Sequence, residues 1–278
     1  MTRDWSRYWR SPDRPLEAMH AHFEQHVYHR HSHDTYSFGV TEIGAQAFTC
    51  RGSAHTSATG MVMAFNPDDP HDGHAADRFG FTYRIIHIGP EVVADALEDS
   101  TGSRMGLPLF TAPVLEDPVL AHTLHALHRA LLGGASTLRR DELLRATVAA
   151  MVRRGSTTGD LPSGTPLTGA QLIAERVRRR LDDSPLDDLT AADLAQAAGC
   201  SRFTVYRAFQ SAYGFAPSDY QRQLRLRIAR RLIARGLPLA EVAARSGFAD
   251  QSHLTRWFTR TYGVTPGIYR QAGLLPRR

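Results

Sequence analysis

The stretch Asp250–Arg270 carries side chains that can hydrogen-bond to base edges or to phosphates. Leu254 and Phe258 follow a helical spacing and form the apolar face of the expected helix. The polar residues of the other face are Gln251, Ser252, Thr255, Arg256 and Arg260. A short helix over Leu239–Arg245 and a glycine turn at Gly247 precede this segment, and this is the layout of a helix-turn-helix. The pattern therefore predicts that the second helix lies in a DNA major groove.

The same pattern occurs a second time, 48 to 49 residues earlier in the chain. The matching positions are Ala195, Gly199, Arg207, Phe209, Tyr213, Gly214, Pro217 and Tyr220 in the first copy and Ala243, Gly247, Arg256, Phe258, Tyr262, Gly263, Pro266 and Tyr269 in the second. The helix expected between the copies, over 217–235, is about 27 Å long at 1.5 Å per residue. Major-groove segments recur on one side of the duplex about every 34 Å. The repeat therefore predicts two recognition helices held apart by a spacer helix.

Charge is distributed unevenly between the two parts of the chain. Residues 1–166 contain 15 arginines and 19 acidic residues, a net charge of −4, whereas residues 167–278 contain 18 arginines and 9 acidic residues, a net charge of +9. The chain has no lysine, so arginine supplies all 33 basic residues. A basic C-terminal part indicates an anionic partner and argues against a purely structural helical bundle.

Residues 167–278 resemble the paired helix-turn-helix domain of the AraC/XylS family of bacterial transcription regulators. The motif residues that carry the resemblance are Gly247, Phe248, Ser252, Leu254, Arg256, Phe258, Tyr262, Gly263, Val264, Thr265, Pro266, Tyr269 and Arg270. The resemblance implies DNA contacts from each recognition helix. The implied residues are Phe203, Tyr206 and Arg207 in the first helix and Gln251, Ser252, Thr255 and Arg256 in the second.

Side-chain chemistry separates the roles within this implied interface. Arg207 and Arg256 can each bond the O6 and N7 atoms of guanine, and Gln251 suits adenine. Phe203 and Tyr206 cannot make bidentate base contacts, so we expect them to contact thymine methyl groups or sugar edges. The arginines interpreted as phosphate contacts or solvated surface are Arg222, Arg225, Arg230, Arg231 and Arg260.

The N-terminal half contains 13 of the 14 histidines and resembles a cupin-like barrel, which the same family commonly uses to sense a small molecule. The resemblance is carried by His31, His33, Asp34 and Tyr36, then Gly60, then Asn66, Pro67 and His71. The residues that we expect to contact an effector are His31, His33, Tyr36, Phe38, Phe65, His71 and Tyr83, together with His87. Strand alternation equally allows each of the aromatic residues to belong to the core.

A metal site is the alternative interpretation of these histidines. In metal-binding cupins, an acid three or four positions after the paired histidines completes the site, but here Tyr36 and Ser37 occupy those positions and Glu42 is nine residues from His33. A site of His31, His33 and His71 alone can still hold zinc, iron, nickel or copper. The favoured interpretation is that the histidines line a ligand pocket or bond backbone groups, and no cofactor is expected.

The elements that would position these residues follow from the apolar spacing. Alternating residues between 16 and 88, separated by glycine and proline turns, favour a small antiparallel barrel or sandwich. Two amphipathic helices follow, one after Pro118 and one over about 139–152, which either form a self-association surface or cover the barrel. Residues 1–15 are interpreted as an arm that packs on the domain surface or closes over a pocket.

The predicted fold class is α+β with two domains: an N-terminal cupin-like β-barrel with two helices and a C-terminal all-α double helix-turn-helix. Residues 1–154 form the effector-binding and dimerisation domain, and residues 155–168, rich in Gly, Ser, Thr and Pro, form a linker. Residues 169–278 form the DNA-binding domain, with helix-turn-helix units at 190–213 and 239–262 joined by the helix 217–235.

The predicted function is a sequence-specific transcriptional regulator rather than an enzyme, controlled by a small-molecule effector. Its expected partners are double-stranded DNA, an effector, a second copy of the chain and RNA polymerase. A cupin metalloenzyme with a DNA-targeting domain and an effector-independent DNA-architectural protein are the alternatives. The chain has no apolar run of membrane-spanning length and its two cysteines are 150 positions apart, so we expect a cytoplasmic protein without a disulfide framework.

Overall fold

The computed structural model describes residues 4–101, 106–156 and 168–273. The chain divides into two units: residues 1–160 together with 271–278, and residues 161–270. Most of the linker predicted over 155–168 falls on residues 157–167, which lie outside the described residues. Over the described ranges, no helix is both long and apolar enough to cross a membrane.

The first unit is built on an antiparallel sheet, as the alternating sequence predicts. Its strands over the described residues are β1 (Trp5–Arg10), β2 (Leu16–Phe23), β3 (Tyr28–His31), β4 (Tyr36–Cys50), β5 (Ser53–Ala58), β6 (Val62–Phe65), β7 (His71–Ala75), β8 (Phe81–Ile88) and β9 (Val114–Leu115). One path runs β1-β2-β8-β4-β6-β9, while β4 also pairs with β5 and β7, and β7 pairs with β3. β4 is 15 residues long, and its register with β8 shifts between Thr41 and Ile43. The first half of β4 pairs with β6, and the second half pairs with β5.

The expected N-terminal arm is instead an edge strand over most of its described part. β1 pairs with β2 along its whole length, from Trp5 opposite His22 to Arg10 opposite Glu17. Trp9 is buried, whereas Trp5 is 42% exposed. The physical reason is that an extended segment beside the open edge of β2 satisfies its backbone groups by pairing, which an unpaired arm does only with water.

Consecutive side chains of the strands point to opposite faces of the sheet. One face, which we call the helix face, packs into the hydrophobic core with the following helices. Its strand residues in that core are Trp9, Leu16, Ala18, Tyr36, Phe38, Val40, Val62, Ala64, Ile86 and Ile88. The opposite face, which we call the histidine face, carries Ser37, Phe65, Tyr83 and His87 at the intervening positions. The hydroxyl groups of Tyr28 on β3 and Tyr83 on β8 lie 2.7 Å apart although these strands are not neighbours, so the sheet curls around the histidine face.

Three helices cover the helix face, rather than the two that the sequence predicts. They are α1 (Pro90–Thr101), α2 (Pro118–Leu132) and α3 (Thr137–Gly155). The leucine stripe predicted on α2 is buried: Leu120, Leu124, Leu127 and Leu131. Helix α1 was not anticipated, although its signals are present, because Pro90 occupies the first turn and the pairs Val92–Val93 and Ala96–Leu97 recur at a helical spacing in the core.

The second unit is helical, as the sequence predicts. Its helices over the described residues are α4 (Gly169–Asp183), α5 (Ala191–Ala198), α6 (Arg202–Tyr213), α7 (Pro217–Ala234), α8 (Leu239–Arg245), α9 (Gln251–Tyr262) and α10 (Pro266–Ala272). Residues from α4, α5, α6 and α7 share one core, which includes Val177, Leu194, Phe209 and Tyr220. The helix predicted over 217–235 is α7, with 18 residues.

A buried histidine ties helix α2 to the sheet. The Nε2 atom of His128 donates to the Met19 carbonyl oxygen at 2.9 Å, and its Nδ1 atom accepts from Arg84 at 3.1 Å. The Arg84 guanidinium also bonds Glu42 at 2.6 Å, and the same carboxylate lies 2.8 Å from His20. Burial, and then the nearby charge of Arg84, lower the pKa of His128 to about 3. His128 is therefore neutral in the folded protein and serves as a hydrogen-bonded link.

We predict that the first unit becomes less stable as the pH falls, because His128 binds a proton in the unfolded chain but not in the folded one. An unfolded histidine binds a proton below about pH 6.5, but folded His128 does not until about pH 3, so this group should remove about 2 kcal/mol of stability between pH 7 and pH 5. His128→Gln should reduce the pH dependence of the free energy of unfolding by that amount, measured by urea denaturation at the two pH values. His122→Gln, at an exposed position of the same helix, should keep the wild-type pH dependence. Equal pH dependences in His128→Gln and wild type would contradict this assignment.

Candidate functional site

The two predicted helix-turn-helix units have matching local geometry. Helices α5 and α6 are separated by Gly199, which has φ 67°, and α6 ends at Gly214, with φ 70°. Helices α8 and α9 are separated by a turn that contains Gly247, with φ 75°, and α9 ends at Gly263, with φ 68°. These left-handed conformations favour glycine because a Cβ atom would approach the following carbonyl oxygen. The glycines therefore set where each recognition helix begins and ends.

Side-chain caps place the first residues of both recognition helices. Ser201 accepts a hydrogen bond from the Thr204 backbone amide at the start of α6. Asp250 accepts from the His253 amide at 2.7 Å at the start of α9. Each cap satisfies one of the amides that a helix leaves unpaired in its first turn.

An aromatic triad holds each recognition helix to the helix that follows it. In the first unit Phe209 lies 4.9 Å from Tyr213 and 5.5 Å from Tyr220, between ring centroids. In the second unit Phe258 lies 4.6 Å from Tyr262 and 5.6 Å from Tyr269. Both phenylalanines are fully buried. The Phe and Tyr positions that repeat in the sequence thus pack each recognition helix against its neighbour.

The predicted DNA-contacting residues lie on the outward faces of α6 and α9. Phe203 is 68% exposed and Tyr206 is 47% exposed, which is unusual for rings of this size and leaves apolar surface for a partner. The Arg207 guanidinium is exposed and lies 5.5 Å from the Phe203 ring. On α9 the exposed residues are Gln251, Ser252, Arg256 and Arg260, and Thr255 is half-buried. The structure therefore presents all eight residues on helices of the same unit.

Among the arginines assigned to phosphates or solvated surface, Arg225 and Arg222 also have close internal partners. Arg225 donates to the carbonyl oxygens of Pro185 at 3.0 Å, Asp187 at 3.0 Å and Gly247 at 3.1 Å. It therefore joins α7 to the α4–α5 connection and to the turn before α9, a role that its position in a charge-rich helix does not reveal. Arg222 stacks on Trp257 with 3.8 Å between its guanidinium carbon and the ring centroid.

The histidines of the cupin-like motifs converge on the histidine face of the first unit. His31, His33 and His71 are all buried, and one nitrogen from each lies within 4.8 Å of the others. The Nε2 atoms of His31 and His33 are 3.2 Å apart. His87 adjoins the group, with 4.6 Å between its ring centroid and that of His33. We call these four residues the histidine cluster.

Hydrogen bonds to backbone carbonyls determine the tautomers of two cluster members. Nδ1 of His31 lies 2.7 Å from the His29 carbonyl oxygen, and Nδ1 of His71 lies 2.8 Å from that of Asp69. A carbonyl can only accept, so each Nδ1 carries the proton and each Nε2 presents a lone pair. Burial holds the pKa of His31 well below its usual range and lowers the pKa of His71 to about 4. Both imidazoles are neutral near pH 7.

The aromatic residues proposed as effector contacts divide between the two faces. Phe65 stacks on His71 at 4.2 Å, and the Tyr83 hydroxyl bonds that of Tyr28, a cluster neighbour that sequence reasoning missed. Tyr36 and Phe38 do not join this group. They occupy alternate positions of β4 and lie in the core against the helices. Their aromatic character indicated a pocket, but the period of two residues in a strand places them on the helix face.

A cleft of about 850 Å³ lies elsewhere on the first unit. Its lining residues are Trp5, His20, His22, Glu24, Glu42, Ile43, Arg78, Phe79 and Thr82. Three apolar side chains at the cleft are unusually open to solvent, with Trp5 42%, Ile43 63% and Phe79 70% exposed. The volume is within the range of small-molecule sites. None of the predicted effector residues lines it.

Two family models together cover most of the chain. Residues 15–148 match the AraC-like ligand binding domain, and residues 194–272 match a helix-turn-helix domain. The chain is 29% identical over 225 residues to the uncharacterized HTH-type transcriptional regulator YbfI of Bacillus subtilis, covering 81% of this chain and 80% of that protein. It is 38% identical over 117 residues to the transcriptional activator NphR of a Rhodococcus species, covering 42% of this chain and 33% of that protein.

Solved structures of ToxT from Vibrio cholerae share the two-domain fold. An apo ToxT variant superimposes with a TM-score of 0.57 at 12% identity, covering 94% of this chain and 98% of that chain. A ToxT structure with bound unsaturated fatty acid has a TM-score of 0.53 at 13% identity, covering 98% and 96% of the two chains.

We predict that the left-handed glycine at the end of α9 is required for stability of the second unit. Gly263→Ala should lower the free energy of unfolding by about 1–2 kcal/mol, because alanine at φ 68° brings its Cβ against the next carbonyl. Gly267→Ala is the matched control: its φ is not in the left-handed region and the nearest atom to an added Cβ is 3.8 Å away, so stability should be unchanged or slightly higher. Urea denaturation followed through Trp257, with Trp5 and Trp9 replaced by Phe, measures both. Equal effects at the two glycines would contradict the prediction.

Proposed function

Because the chain belongs to the AraC/XylS family of transcriptional regulators, we propose that it reads DNA through α6 and α9 together. The observation that carries this proposal is the duplication of one unit with its exposed polar helix intact. The net charge of +9 over residues 167–278 supports an anionic partner. Helix α7, with 18 residues and a length of about 27 Å, is suited to hold two recognition helices near one turn of DNA apart.

In this proposal, different residues contact the DNA bases and the DNA backbone. Arg207 and Arg256 contact guanine and Gln251 contacts adenine, because their side chains can form paired hydrogen bonds to those bases. Phe203 and Tyr206 contact thymine methyl groups or sugars, a role supported by the exposure of their rings. Arg260 contacts phosphate near the end of α9. Ser252 and Thr255 supply shorter polar contacts in the second half-site.

The N-terminal unit binds the effector in this proposal. The match to an AraC-like ligand binding domain supports small-molecule control, as does the bound fatty acid in one ToxT structure. The rings of the histidine cluster are in direct contact with one another, so an organic molecule cannot enter between them without separating them. The open cleft, with apolar Trp5 and Phe79 beside polar His22 and Arg78, suits a small molecule that has an apolar body and a polar group.

Effector control requires two arrangements of the regulator with different affinities for DNA. An effector that binds one arrangement more tightly shifts the population toward it, and DNA affinity changes by the same linkage. We propose that the regulator works as a homodimer in the cytoplasm and contacts RNA polymerase, with no catalytic role. Light scattering on the full chain, with and without DNA, tests the dimer directly.

We predict that Arg256→Ala relaxes base preference. The loss of a bidentate guanine contact should cost about 1–3 kcal/mol on the preferred site and much less on sites changed at that base pair. Selection of bound sequences from random DNA identifies the site, and gel-shift titrations then measure each affinity.

Arg260→Ala is the control for this prediction, since Arg260 lies on the same helix and is also exposed. It should weaken binding to all sequences alike and lower the dependence of affinity on salt. Equal, sequence-independent losses in both variants would contradict the role given to Arg256.

We predict that the effector binds the cleft. A metabolite present at about 100 times its dissociation constant should stabilise the wild type by about 2.7 kcal/mol. Trp5→Ala with Phe79→Ala should lose the thermal shift, because these side chains form the apolar wall. Leu138→Ala, an exposed apolar residue on α3, should keep it. A metabolite that stabilises the double variant as much as the wild type would place the effector outside the cleft.

A further inference from the structure

We propose that His31, His33 and His71 form a binding site for a divalent transition-metal ion, with Zn²⁺ as the ion to be tested. This proposal concerns only the first unit and does not depend on how the chain reads DNA. It rests on three features of the histidine cluster: the spacing of the nitrogens, the fixed tautomers and the surrounding rings.

The nitrogen spacing is close to that of a tetrahedral metal site. Two imidazole nitrogens bound to zinc at about 2.0–2.1 Å and at the tetrahedral angle lie about 3.3 Å apart. The Nε2 atoms of His31 and His33 are already 3.2 Å apart. The ligand atoms of all three residues lie within 4.8 Å of one another. Closing the site on an ion therefore requires His71 to approach by at most about 1.5 Å, which side-chain torsions can supply.

The tautomers direct lone pairs into the site. His31 and His71 donate through Nδ1 to the carbonyl oxygens of His29 and Asp69. Metal-bound histidines are usually oriented by this kind of outer bond, which fixes the ring and raises the basicity of the other nitrogen. At 3.2 Å, two lone pairs on His31 and His33 would repel, so without an ion the Nε2 atom of His33 must hold a proton and donate to His31. When a cation binds, that proton moves to Nδ1 of His33, so the imidazole stays neutral and both Nε2 atoms can donate lone pairs to the ion.

The surrounding rings hold the ligands in place. Phe65 stacks on His71, Tyr28 stacks on His31 at 5.5 Å, and His87 lies against His33. The site residues are 3%, 8% and 6% exposed for His31, His33 and His71, so bulk water competes little for the ion.

The donor set indicates the class of ion. Neutral imidazoles suit zinc, copper, nickel and iron, whereas magnesium and calcium prefer oxygen ligands. Three neutral ligands leave the double charge of the ion uncompensated and one tetrahedral position open. That position is therefore suited to an anionic donor, such as hydroxide or a carboxylate.

The test uses the full chain, freed of metal with a chelator and titrated with Zn²⁺ by calorimetry. We expect one ion per chain by elemental analysis. His31→Ala and His71→Ala should each weaken binding at least about 100-fold, because loss of even outer partners costs 10- to 100-fold. His29→Ala and His74→Ala are matched controls on β3 and β7 with exposed side chains, and they should bind as the wild type does. The His29 carbonyl that orients His31 is retained in the first control.

A second readout guards against variants that fail to fold. Co²⁺ bound tetrahedrally by three imidazoles and one further ligand absorbs visible light far more strongly than hydrated Co²⁺. The wild type should show this intense band, and His71→Gln, which keeps the side-chain volume, should lose it while retaining wild-type circular dichroism. The proposal is overturned if the wild type binds no stoichiometric ion. It is also overturned if the control variants lose the ion as the cluster variants do, or if folded His71→Gln keeps the Co²⁺ band.

Discussion

The alternation of side chains along β4 and β8 is the constraint on which the first unit depends. Each strand contributes one set of residues to the core beneath α1, α2 and α3 and the intervening set to the histidine face. A slip of one residue would exchange apolar and imidazole side chains between the two environments. The register therefore places a hydrophobic core and a buried histidine cluster on opposite sides of a single sheet.

A different constraint organises the second unit, namely the left-handed glycines at the ends of short helices. Because each recognition helix has its ends set by caps and glycines, its outward face can vary without disturbing the core. Arg225 adds a long-range link, since one guanidinium bonds carbonyls of two separate connections. Because α7 is attached to the turn before α9, it can hold α9 in a defined orientation relative to itself.

The histidine cluster and the cleft of the first unit differ in solvent access and in the side chains that line them. The cluster is closed and rich in imidazole nitrogens, whereas the cleft is open and lined by apolar and charged side chains. A buried neutral imidazole is suited to an ion, because its unprotonated nitrogen can donate a lone pair to the cation. An organic effector instead gains from apolar contact and solvent access, which the cleft offers.

The sequence by itself determined features that depend on local spacing and residue type. The leucine stripe of α2, the capping residues and the repeated Gly, Phe and Tyr positions all act through neighbours within a few residues, so the two units and the double helix-turn-helix could be predicted. Tertiary structure alone decided which side chains meet across strands and helices. Only the tertiary structure shows that Trp5–Arg10 pairs with β2 and that Tyr36 and Phe38 lie on the helix face. The internal hydrogen bonds of Arg225 are likewise visible only there. The tertiary structure also brought His71 to His31 across a strand pair 40 residues apart in the chain. Such contacts depend on sheet register and curvature, which arise from the whole domain and leave no periodic signal in the sequence.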